Sequence, residues 1–162
     1  MSQAAAPGRL SLVAWPQILT LALGMGDRDA AGRVIEFLAG RLPGHVPPVQ
    51  HAHLARGRGL IALNDGDDET AERELAAAIS GFGEIECRYW QAVSEADLAA
   101  VLAGQGRGEE AAGLLERAIG VLEPIGARPA LARARQLVAQ TTAPVRPACP
   151  VAQPDRPVPA AG

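Results

Sequence analysis

Three stretches of the chain share one pattern of apolar, small and polar positions. They are residues 24–43 (GMGDRDAAGRVIEFLAGRLP), 64–80 (NDGDDETAERELAAAIS) and 104–124 (GQGRGEEAAGLLERAIGVLEP). Gly26, Gly66 and Gly106 align them at a constant interval. Five residues after each glycine comes Ala31, Ala71 or Ala111. Nine after comes Ile35, Leu75 or Leu115, and twelve after comes Leu38, Ala78 or Ala118. Offsets of 5, 9 and 12 lie on one face of a helix. The alanine predicts close approach of two helices. Another apolar stretch precedes each glycine, over 11–23, 49–63 and 88–103. A last stripe, Leu131, Ala134, Leu137 and Val138, follows Pro129. Proline suits a first helical turn. The pattern predicts helix, glycine turn, helix, three times, and then a closing helix.

Composition sharpens this. Alanine, the best helix former, makes up about a fifth of the 162 residues, so the expected fold class is all-α. From Thr141 the chain turns proline-rich, and residues 141–162 are expected to form a disordered tail. Residues 1–9 are expected to be disordered too, which leaves 10–140 as one helical repeat domain.

The repeats resemble tetratricopeptide (TPR) repeats. Trp15, Gly26, Ala31 and Pro43 fall at matching places in the first unit. Gly59, Gly66, Ala71, Leu75 and Ala78 do so in the second, and Leu98, Gly106, Ala111, Leu115 and Ala118 in the third. The period, from position 26 to 66 to 106, is 40 rather than the usual 34, and Pro16 interrupts the first helix. Such a long period is similar to the C-terminal TPR regions of bacterial LuxR-type and SARP-type ATPase regulators and of cyclase fusions. The stretches CRYWQAVSEADLAAVLAGQGRGEEAAGLLERAI and LEPIGARPALARA carry that similarity. It implies a TPR-like α-solenoid of three helical hairpins plus a closing helix. It also implies a non-catalytic protein–protein interaction module in bacterial transcriptional or signalling regulation. The alternative is a C-terminal fragment or relic of a larger ATPase or cyclase regulator, without independent activity.

Charge and chemistry narrow the function further. All fifteen basic residues are arginine, so lysine-based chemistry is absent. The formal net charge is −3. An acidic, aromatic-poor chain is not expected to bind nucleic acid by itself. Asn64 to Glu69 lacks the order of a calcium loop and reads as a turn with Asp at a helix start. His51 and His53 splay about 200° apart on a helix and, with His45, lack further ligands, so no metal is expected. The glycines around Gly24 and Gly104 follow no strand, which argues against a phosphate loop. No catalytic residue and no cofactor is expected. Cys87 and Cys149 form no disulfide framework, which suits a cytoplasmic protein. Residues 10–26 carry no charge, but Pro16 and their short length argue against a membrane anchor.

Two surfaces remain as candidates. In TPR units the first helix of each hairpin lines a concave groove. The corresponding residues here include His53, Arg56, Leu60, Leu63 and Val93. Only His53 and Arg56 are cationic among them, so the carboxylate clamp of chaperone-binding TPR proteins is missing. The groove is expected to be apolar with His53 and Arg56 at its rim, either open to a partner or closed by superhelical curvature. The second surface is the first hairpin, where Leu12, Trp15 and Leu19 offer an apolar face for a possible homodimer. The closing helix is expected to face water with Arg128, Arg133 and Arg135.

Overall fold

The computed structural model describes residues 18, 21–22, 25, 27–40 and 47–142. These residues are all-helical, and no strand occurs among them. The helices are α1 (Arg28–Ala39), α2 (Pro48–Asp65), α3 (Asp68–Glu84), α4 (Arg88–Gly104), α5 (Gly108–Leu122) and α6 (Arg128–Thr142). The expectations for residues 1–9, for Leu12, Trp15 and Leu19, for His45 and for most of the tail lie outside the described residues.

The helix starts are evenly spaced, at 28, 48, 68, 88, 108 and 128. The turns explain this regularity. Gly66, Glu86, Gly106 and Gly126 all have positive φ, at 76°, 55°, 79° and 68°. A left-handed residue after a helix lets the next N–H reach back to a carbonyl five residues earlier, which satisfies a carbonyl left open at the helix end. That bond recurs from Asp67, Cys87, Arg107 and Ala127 to Ala62, Phe82, Leu102 and Leu122 (2.8–3.1 Å). Asp27 makes it to Ala22 as well, at 2.8 Å. Residue 47 is proline and has no N–H to donate; there Pro47 and Pro48 start α2 directly.

Polar caps begin two of the helices. Asp27 and Asp67, at equivalent places in successive units, accept from the N–H of Ala30 and Thr70 at 2.9 and 3.0 Å. The acidic cluster around Gly66 is thus a turn and a cap. At the corresponding position before α5, Arg107 takes another role. It forks onto Glu110 and reaches Glu72 on α3.

Each helix packs on the next in sequence. The first helices of the hairpins also meet one another, because α4 packs on α2 and on α6. The second helices α3 and α5 make no comparable approach. Small residues set the spacing. Ala31, Ala71, Ala78, Ala111 and Ala118 are fully buried, as are Leu75 and Leu115. A Cβ on Gly59 would sit 2.7 Å from Leu75 Cγ and 3.2 Å from the Ala71 carbonyl oxygen. Helices α2 and α3 therefore touch nearly backbone to backbone, an approach that glycine permits. The main core joins Leu75, Leu98, Leu102, Leu115 and Leu122 across α3–α5, and a smaller one gathers Ala22, Ala31, Ile35 and Leu54 around α1.

Candidate functional site

The face formed by α2, α4 and α6 holds a pocket of about 460 Å³. Trp90, Val93 and Ala96 of α4 form one wall, Arg56 of α2 another, and Pro129, Ala130 and Arg133 of α6 a third. Leu21 and Tyr89 also border it. Among the described residues, no helix is long and apolar enough to cross a membrane, and no group of His, Cys, Asp and Glu could hold a metal ion.

Three ionic side chains tie the three helices together. Asp97 of α4 is fully buried. Its Oδ2 accepts from Arg56 Nε at 2.7 Å, and its Oδ1 accepts from Arg133 Nη1. A carboxylate can be held in a protein interior only when it is paired and hydrogen-bonded, and this one has a guanidinium on each oxygen. The Arg56 guanidinium also lies over the Trp90 ring, 5.4 Å from its centroid. The face of such a ring attracts a cation.

This corrects the expectation for Arg56 and His53. Neither stands at a rim. The Arg56 side chain is only 4% exposed, because burial against Trp90 and pairing with Asp97 draw it inward. His53 is buried edge-on against Phe82 and Trp90, with ring centroids 4.8 and 4.7 Å away. Such edge-to-face contacts match the positive rim of one ring to the negative face of another. Burial, with the Arg56 charge adding to it, lowers the His53 pKa to about 4, so the ring is neutral near pH 7. The groove is not purely apolar either. Arg133, expected to face water, turns one nitrogen to Asp97 while about half of its side chain stays exposed.

The pocket brings Arg56 and Val93 together. Leu60 and Leu63 are half-buried and do not line it; Leu63 packs against the main core instead. Tyr89 is exposed beside the half-buried Trp90, their rings 5.0 Å apart. Reasoning from sequence missed Asp97 and Arg133, although both left a signal. Asp97 is an acid within the apolar run that follows Ser94, and an acid on a packed face needs a cation. Arg133 lies one full period beyond Val93, so carrying the repeat into the closing helix puts it on the groove side.

The arrangement offers an apolar recess, an aromatic ring and arginine donors. Among the described residues that line it, no nucleophile and base lie within reach of each other. No protein-family model, curated protein or solved structure matches the chain.

Proposed function

We propose that the chain is a TPR-like α-solenoid that acts as a non-catalytic protein–protein interaction module, with the α2–α4–α6 face as its docking surface. The observation that carries this reading is the packing order. First helices meet across hairpins while second helices stay apart, which is how stacked hairpins curve around a concave face. The even spacing of helix starts supports the same reading. A setting in bacterial transcriptional or signalling regulation follows from the resemblance of the repeats alone, and a cytoplasmic one from the lack of a disulfide framework.

Site-specific photocrosslinking tests the docking surface. A photoreactive residue at Tyr89, exposed at the pocket, should capture a partner protein in cells, whereas one at Glu116 on α5 should not. Equal capture from both positions refutes the assignment of the face. Self-association is a second reading, favoured by one observation. Ile18, Leu21 and Met25 are 48%, 64% and 80% exposed. An exposed apolar set of this kind, here at the N-terminal end, marks an interface. Light scattering of the full chain distinguishes a dimer from a monomer.

A further inference from the structure

We propose that the pocket between α2, α4 and α6 binds a small amphipathic monoanion, an apolar body carrying one carboxylate, with the carboxylate on the Arg133 guanidinium beside Arg56 and the body against Trp90. The inference goes beyond protein docking, because the occupant is a small molecule held within the pocket.

Size and lining come first. A volume of about 460 Å³ lies within the range of small-molecule sites, which are typically apolar recesses with a few convergent polar groups. Arg56 and Arg133 are the only charged residues that line this one among the described residues; the rest are aromatic, aliphatic or proline.

Charge selects the ligand. Asp97 supplies one negative charge against two positive ones, and both of its oxygens are taken. Arg56 has given Nε and Arg133 has given Nη1. The other guanidinium nitrogens have no hydrogen-bond partner among the described residues. No buried side-chain nitrogen or oxygen in the described structure lacks a partner. Arg56 lines the pocket with about 4% of its side chain exposed, whereas Arg133 lines it with about half of its side chain open. A neutral ligand would cover an unbalanced positive charge, and a cationic one would add to it. A monoanion balances the site, and a guanidinium pair already fixed on a buried carboxylate needs little reordering to receive it. A compact dianion would exceed the charge and leave the apolar walls unused.

Decanoate, decan-1-ol and decyltrimethylammonium, each below its aggregation limit, test this by calorimetric titration of the full chain. Decanoate should bind about tenfold or more tightly than the other two, the range of a charge-assisted hydrogen bond. Arg133→Gln should erase the preference for decanoate over decan-1-ol while leaving decan-1-ol binding unchanged. Val93→Trp, which puts a bulky ring at the pocket wall and removes none of the triad's charged groups, should abolish binding of both in a variant that keeps its helical circular dichroism. It also serves if Arg133→Gln does not fold, as judged by helical circular dichroism. Equal binding of decanoate and decan-1-ol overturns the proposal. So does a preference that survives Arg133→Gln in a folded variant, or decanoate binding that survives Val93→Trp. None of these readouts involves a protein partner, so the docking reading stands or falls separately.

Discussion

The two central hairpins are alike on one side and different on the other. Their second helices, α3 and α5, carry Ala71, Leu75, Ala78 and Phe82 against Ala111, Leu115, Ala118 and Leu122 in the same register, and all eight are fully buried. Their first helices, α2 and α4, pair Gln50 with Trp90, His53 with Val93, Arg56 with Ala96 and Gly57 with Asp97. The repeat is kept on the second helices, which pack on their neighbours in sequence, and abandoned on the first helices, which supply Arg56, Trp90, Val93 and Ala96 to the pocket. Packing demands the same shape in every unit. A pocket lined by several helices can draw a different side chain from each.

The largest way to break this comparison lies on the unlike side. Asp97→Ala leaves Arg56 buried without a counter-charge, and removing one partner of a buried ion pair costs about 3–5 kcal/mol. Urea unfolding followed by circular dichroism measures it. A loss below about 1 kcal/mol would show that the triad does not hold the three helices.

His53 is the second probe. Its pKa is about 4 in the folded chain and about 6.5 when unfolded, so between these values the unfolded state binds more protons. Stability is full above about pH 6.5 and is lost as pH falls towards about 4. The loss should be about 2–3 kcal/mol after allowing for solvent screening. His53→Gln should flatten the stability curve over this window. An unchanged pH profile would place the titrating group elsewhere.

How much was legible follows from the same division. The all-α class, the helices from Arg28 onward and the buried alanines were readable because each alanine sits at a fixed distance from a glycine turn. The even spacing of all six helix starts was harder to see, because Val46 and Glu86 stand in sequence where Gly26, Gly66, Gly106 and Gly126 mark the others. The site was least legible. Arg56 reads as a surface cation until its partner 41 residues away is known, and Asp97 has no counterpart in the neighbouring unit. A repeat pattern reports what units share, and the pocket is built from what they do not share.

Gly59 sharpens the comparison within the packed side. Its counterpart in the next unit is Ala99, which is buried without strain. Gly59→Ala drives a methyl group to 2.7 Å from Leu75 Cγ. The change should destabilise by about 1–3 kcal/mol, although alanine is the better helix former. A thermal melt of the variant checks it. An unchanged or raised melting temperature would mean that α2 and α3 separate at little cost, and that the two hairpins do not share one packing distance.

The smallest effect concerns the turns. Glu86 has φ 55°, while its counterparts Gly66, Gly106 and Gly126 have φ between 68° and 79°. The left-handed region crowds a Cβ against the backbone and costs a non-glycine residue about 1 kcal/mol, which glycine does not incur. The Glu86 side chain is exposed, so its removal sacrifices little packing. Glycine gains more freedom in the unfolded chain, which offsets part of the relief. Glu86→Gly should therefore stabilise the protein by about 0.5 kcal/mol, a rise of roughly 1–2 °C in melting temperature for a chain of this size. The same change made at an exposed mid-helix site, Glu116→Gly, should cost about 1 kcal/mol. Opposite signs for these two glutamates would tie the gain to the turn geometry. If both variants lose stability, the Glu86 turn is held by something other than its left-handed backbone, and the four turns are not equivalent.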